Sequence, residues 1–161
     1  MLTEKKYELL RFLIKGSERE SIRIFNEMLS DYNVTANQAE ALMILKQVEP
    51  ISLKEIGKLL ICEKGSPSRL IQSLVNKGLV SKGTDKVDKR KNVLTLTKKG
   101  NLLIPQINEV NDKLNKLILN RIDNDDTINY LIKIFSNYLS GTETGKKIEL
   151  RYPNELHFKS K

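Results

Sequence analysis

Between Gly65 and Gly100 the chain reads GSPSRLIQSLVNKGLVSKGTDKVDKRKNVLTLTKKG, and this stretch constrains the fold more than any other. Ser66 before Pro67 marks a helix start for two independent reasons: the serine oxygen can accept an orphan backbone N–H, and proline at the first helical position forgoes no hydrogen bond. Leu70, Ile71 and Leu74 then recur at one-turn spacing, while Ser68, Arg69, Gln72, Ser73 and Asn76 fall on the opposite side. One face is core; the other is short, polar and able to read a surface. Gly78 after Lys77 is a left-handed helix stop, with Leu79 as its hydrophobic contact. Beyond it, Leu79-Val80 and Val93 to Thr97 read as two short strands, joined by a charged ribbon from Lys82 to Asn92. A helix, a tight stop and a charged hairpin in that order make the second half of a winged helix-turn-helix.

Charge sharpens this reading by its location. The 161-residue chain carries a formal net charge of +8. Between Pro50 and Gly100 there are 12 basic residues against 4 acidic ones, so the whole excess sits on this segment and the remainder is neutral. Such a concentration is the electrostatic footprint of a phosphate-binding surface, with a solvated basic face as the alternative.

The flanking segments read as helices. Residues 4–32 place Tyr7, Leu10, Ile14, Ile22, Phe25, Leu29 and Tyr32 on a broad stripe, one long helix or two, with a kink or break expected at Gly16-Ser17. Thr35 and Gln38 form a capping box that opens the next helix, which runs to about Val48 before Pro50 ends it. Ser52 and Glu55 form a second box, opening a helix that should bury Leu53, Ile56, Leu59 and Leu60. Past the wing, Thr97 can cap a helix with Leu103, Ile107, Val110, Leu114, Leu117 and Ile118 inward; Pro105 inside it should bend it or delay its start. Asp123 to Asp126 supplies caps for a last helix, with Ile128, Leu131, Ile132, Phe135, Tyr138 and Leu139 inward and Gly141 as its stop. From Thr142 the tail reads as a weakly ordered extension: Ile148 to Tyr152 alternates as a strand would, and Gly145 and Pro153 interrupt the pattern.

Taken in order, these pieces resemble the MarR-type winged-helix transcriptional regulators over roughly Leu10 to Leu139. The resemblance is carried by Ser68-Arg69-Leu70 with Leu74, by Lys77-Gly78-Leu79-Val80, and by Asp88-Lys89-Arg90 followed by Leu94 to Gly100. It implies that the fourth helix enters the major groove of double-stranded DNA, that the wing arginine enters the adjacent minor groove, and that the terminal helices interlock two subunits into a homodimer. The DNA-contacting roles then fall on Lys64, Ser66, Ser68, Arg69 and Gln72 for the helix. For the wing they fall on Lys86, Lys89, Arg90 and Lys91, with Asp88 holding Arg90 ready. One position departs from the family pattern: Pro67 stands where most members carry a β-branched residue, so either the recognition helix begins about a turn later or its first turn is altered.

The expected fold is mainly α. It has a winged helix-turn-helix at residues 35–97 with a small antiparallel β-wing, N- and C-terminal dimerisation helices at 1–34 and 98–141, and the extension at 142–161. The expected function is sequence-specific DNA binding by a transcriptional regulator, a repressor in most of the family, which holds a palindromic operator as a homodimer and has a small-molecule effector as a candidate partner. The alternative is a winged-helix protein-interaction module without sequence-specific DNA binding. No nucleophile–base pair, phosphate loop or carboxylate pair has a convincing setting, which argues against an enzyme, and no cofactor is expected. A lone cysteine, Cys62, and a lone histidine, His157, leave neither an intrachain disulfide nor a His/Cys metal site. Cys62 follows an apolar helix face and reads as an inert core thiol rather than a redox switch. With no apolar run near 18 residues and no signal-like start, the expected setting is the cytoplasm, without a membrane partner.

Overall fold

The computed structural model describes residues 2–61, 66–85, 87–121, 124–153 and 155. The expectations for Cys62, Lys64, Lys86 and His157 lie outside those residues, as does the side chain of Ile118. Among the described residues the chain is mainly α-helical with one two-stranded antiparallel sheet. None of the described helices is long and apolar enough to cross a membrane.

Of the two alternatives, one long helix or two, the structure has the first: helix α1 (Leu2–Met28) runs unbroken through Gly16, and a 3-10 turn at Ser30–Tyr32 follows it. Glycine inside a helix costs only about 1 kcal/mol relative to alanine, which the other turns of a long helix offset. Arg23 also bridges two of those turns, pairing with Glu20 at 2.8 Å and with Glu27.

Helix α2 (Ala36–Val48) is the centre of the molecule. Its capping box forms as the spacing requires: Thr35 Oγ1 accepts from the Gln38 N–H at 3.3 Å, and Gln38 Oε1 accepts from the Thr35 N–H at 3.1 Å. Ala39, Ala41, Leu42 and Leu45 are fully buried, because small and large side chains alternate around the helix and let neighbours approach from several sides. Phe25 of α1 and Leu29 just past its end close the core from one side, and Ile107 and Val110 of α5 (Lys98–Leu119) from another. Pro105 neither delays nor interrupts α5.

Helix α3 is short, Leu53–Ile56, and its Ser52/Glu55 capping box is complete. Ile56 and Leu60 are buried, but Leu53 is exposed, against expectation. Just before α3, Ile51 and Leu94 exchange both backbone hydrogen bonds, at 3.3 and 2.8 Å, and this bridge sets the start of α3 beside the wing while Ile56 reaches the core. Helix α4 (Pro67–Asn76) starts at Pro67 itself, so the departure from the family pattern delays nothing.

Strand β1 (Val80–Thr84) pairs antiparallel with β2 (Asn92–Leu96), Val80 opposite Leu96 and Thr84 opposite Asn92. Lys82, Gly83 and Thr84 therefore belong to the sheet, and the loop is only Asp85 to Lys91. Sequence pattern missed this extension because β1 beyond Val80 has no apolar side chains; its partner supplies them, with Leu94 and Leu96 buried.

Two C-terminal helices complete the chain. Helix α6 (Asp125–Leu139) is capped by Asn124, whose Oδ1 accepts from the Thr127 N–H at 2.8 Å, and it stops at Gly141 with φ +77°. Its expected inward face is not buried: Leu131, Ile132, Phe135 and Tyr138 are all exposed in the single chain. The segment after Thr142, expected to be a strand-like and weakly ordered tail, is helix α7 (Glu143–Arg151). The Thr142 hydroxyl caps it by accepting from the Gly145 N–H at 3.0 Å, a signal outweighed in the sequence by the alternation of Ile148 to Tyr152.

Candidate nucleic-acid interface

Helix α4 is held from behind by residues of α2. Gln38, buried at 7% exposure, does more than cap its own helix: its Nε2 donates to Ser73 Oγ of α4 at 2.9 Å, and its Oε1 accepts from Lys77 Nζ at 2.9 Å. Ser73 in turn donates to the Leu70 carbonyl at 2.7 Å, so this hydroxyl is committed to the interior and is not part of a reading surface. Lys77 also donates to the Asn33 carbonyl, which turns one of the cations of the basic segment inward.

The C-terminal end of α4 is a full Schellman stop. The Leu79 N–H donates to the Leu74 carbonyl at 3.0 Å and the Gly78 N–H to the Val75 carbonyl at 2.9 Å, with Gly78 at φ +68°. Thr97 ties this stop to α5: its hydroxyl donates to the Gly78 carbonyl at 2.7 Å and accepts from the Gly100 N–H at 3.0 Å. Gly100 is required there, since a Cβ would meet the Leu79 carbonyl oxygen at 2.1 Å.

With Ile71 and Leu74 anchored in the core, α4 presents Ser68, Arg69 and Gln72 to solvent. Ser66 does not cap the helix as expected; its hydroxyl lies 2.6 Å from that of Ser68 instead, so the two serines satisfy one another. Gln72 is oriented from both sides: its Nε2 donates to Asn76 Oδ1 at 2.9 Å, and its Oε1 accepts from Lys82 Nζ of β1 at 2.6 Å. This link between recognition helix and wing was not legible in the residue pattern, because it joins two elements across the helix stop.

The wing loop is organised by Asp85. Its Oδ1 accepts the backbone N–H groups of Val87 and Asp88, at 2.8 and 2.9 Å, and the Asp88 and Val87 amides hold this carboxyl below the usual carboxylate range. An aspartate followed by such a short turn is a recognisable signal in the residue pattern. Asp88 stands beside Arg90, accepting from its backbone N–H at 3.1 Å and from Nε at 3.4 Å. The Arg90 side chain is 93% exposed, so this contact aims it without occupying it. Lys89 and Lys91 flank it, also exposed. Among the described residues no cluster of His, Cys, Asp and Glu could hold a metal ion.

The chain is similar in sequence and fold to known proteins. The family described as "Winged helix DNA-binding domain" matches residues 34–100. The regulator SarZ of Staphylococcus haemolyticus is 25% identical over 129 residues, 80% of this chain and 88% of that protein. The organic hydroperoxide resistance transcriptional regulator of Bacillus subtilis is 29% identical over 94 residues, 58% of this chain and 64% of its own length. Among solved structures, a mutant of E. coli MarR in complex with operator DNA superposes with a TM-score of 0.70 at 28% identity, covering 81% of this chain and 95% of that one. The S. aureus MepR–DNA complex shares the fold, with a TM-score of 0.70 at 18% identity over 78% of this chain and 93% of its own.

Proposed function

We propose that the chain is a winged-helix transcriptional regulator of the MarR family, a cytoplasmic repressor that binds a palindromic operator as a homodimer. The observation that carries the proposal is the joining of α4 to the wing: Ser68, Arg69 and Gln72 stand exposed on the helix, Lys82 connects Gln72 to β1, and Lys89, Arg90 and Lys91 stand exposed on the loop. In this reading Ser66, Ser68, Arg69 and Gln72 work in the major groove. Arg69 and Gln72 discriminate bases there, since their forked side chains match base edges. Arg90, positioned by Asp88, enters the flanking minor groove, and Lys64, Lys86, Lys89 and Lys91 contribute affinity through phosphates with little sequence preference.

Homodimerisation accounts for the apolar surface of the single chain. Tyr7, Leu10, Phe12 and Leu13 of α1 are each more than half exposed, and α6 adds Tyr130, Ile132 and Tyr138. Between α1 and α5 lies an open groove of about 600 Å³ lined by Phe12, Leu13, Ile24, Leu114 and Leu117, a seat for a partner's helix. Two recognition helices related by a two-fold axis would then meet successive major grooves about 34 Å apart. Release by a small-molecule effector belongs to the same reading, and mass spectrometry of molecules co-purified with the protein tests for one.

Binding-site selection followed by footprinting tests the proposal. The expected result is an imperfect palindrome with A·T-rich flanks, protected on one side of the duplex, whose affinity falls steeply with salt. Sequence-blind retention would favour a protein-interaction module instead, and a single protected half-site would overturn the dimeric docking.

A further inference from the structure

The beginning of α4 is its least anchored end. Its middle is tied to α2 through Gln38 and its C-terminus to α5 through Thr97, whereas the Ser66 side chain supplies no cap and its hydroxyl pairs only with that of Ser68. This end packs against the end of α3, where Pro67 Cγ lies 3.6 Å from the place a Cβ on Gly57 would take, and the chain is gripped where it leaves α3.

The grip comes from α7. Gly145 lets this helix turn back tightly on the end of α6, since a Cβ there would meet the Leu139 carbonyl oxygen at 2.1 Å. Lys147 and Arg151, one helical turn apart, then reach the helix-turn-helix from the same side of α7. Lys147 Nζ donates to the Leu60 carbonyl at 2.7 Å, and Arg151 donates to Glu40 Oε1 at 2.5 Å. The same Glu40 oxygen accepts the Ile61 N–H at 3.3 Å. The carbonyl of Leu60 and the N–H of Ile61 are consecutive backbone groups past the end of α3, and both find their partners through this one cluster. The Glu40 and Arg151 side chains are only 17% and 20% exposed, so water competes poorly for either.

We propose that Glu40, Lys147 and Arg151 are positioning residues for operator recognition: the C-terminal helix clamps the exit of α3 and thereby sets where α4 begins. The proposal rests on the operator-binding reading above. Because α7 continues directly from α6, the clamp also joins the helix assigned to dimerisation to the helix assigned to base reading. A displacement of α6 would be felt at the start of α4.

Full-length Arg151→Ala, Arg151→Lys and Glu40→Gln proteins test it by two measurements. Native-state amide exchange is read at Ile61 and at Arg69 and Leu70, whose N–H groups bond to Ser66, with Leu42 and Leu45 of α2 as the reference. Affinity is read for the selected operator and for an unrelated duplex. Arg151→Ala should speed exchange at Ile61, Arg69 and Leu70 about tenfold while Leu42 and Leu45 stay unchanged, as local opening requires. It should also weaken operator binding about tenfold and leave the unrelated duplex unaffected. Arg151→Lys should recover much of both effects, and Glu40→Gln combined with Arg151→Ala should be no worse than the worse single variant.

Unchanged exchange, or equal acceleration in α2 and α4, overturns the clamp. Faster exchange with unaltered operator affinity overturns its role in recognition, as does an equal loss on both duplexes. A wild-type protein that shows no operator preference would instead sink the operator-binding reading, while the exchange measurement still decides the clamp.

Discussion

Arg90 and Asp85 show how much of the wing rests on single side chains. Arg90 projects from a loop that contributes nothing to the core, so Arg90→Ala should weaken operator binding by about 1–3 kcal/mol and leave the melting temperature unchanged. Titration calorimetry with a parallel thermal melt checks both parts; an unaltered dissociation constant would remove Arg90 from the interface. Asp85 acts on loop shape rather than on DNA. Its carboxyl is lowered in the folded protein by the Asp88 and Val87 amides. The support it lends the loop is thus complete above the ordinary aspartate value of about 3.9 and is lost as pH falls through the depressed folded value. The amide shifts of Val87 and Asp88, followed by NMR as pH is lowered, should titrate with a midpoint below about 3.9, and Asp85→Ala should abolish that titration. A midpoint at or above the ordinary value would show that these amides do not hold the carboxylate.

At the scale of elements, two glycines set the place of α4 for different reasons. Gly78 has open space around its Cα but a backbone that L side chains resist, so Gly78→Ala should cost about 1–2 kcal/mol and Gly78→Asn less, because asparagine tolerates the left-handed region. Gly100 has an ordinary helical backbone and no space at all. Gly100→Ala drives a methyl into the Leu79 carbonyl, and α5 must move off the helix stop at a cost of about 1–3 kcal/mol. Urea denaturation of the three variants separates the two mechanisms. If Gly78→Asn were as damaging as Gly78→Ala, backbone strain would be the wrong account; if Gly100→Ala were neutral, the close approach of α5 would be.

Across the whole molecule, the densest exposed apolar surface lies on the terminal helices. Leu9, Leu10, Phe12, Leu13 and Ile14 of α1 and Leu131, Ile132, Ile134 and Phe135 of α6 are all exposed in the single chain, while the winged helix-turn-helix between them shares one buried core with the end of α1 and with Ile107 and Val110 of α5. The expected state at micromolar concentration is therefore a dimer. Light scattering should report twice the 18.5 kDa chain mass, and Phe12→Glu with Leu13→Glu should shift it to monomer and abolish operator binding without unfolding residues 34–100. A wild-type monomer would contradict the reading.

What could be learned from the sequence alone is what short-range chemistry encodes. Both capping boxes, the stop at Gly78 and the cap at Asn124 are each set by hydrogen bonds spanning at most five residues, and the helix start at Pro67 by proline's own fixed backbone angle, so local sequence suffices to read them. The basic bias of residues 50–100 was likewise visible, as was the order of elements that carries the family resemblance. Tertiary structure decided whatever depends on partners far away in the chain. Gln38 meets Ser73 across 35 residues and Glu40 meets Arg151 across 111, and no local pattern announces either. The same holds for Lys77, counted as a surface cation yet turned onto Asn33 and Gln38, and for α6, whose apolar stripe looks like core until its neighbours prove absent. A hydrophobic stripe specifies that a face must be covered; only packing decides whether the cover comes from the same chain or from another.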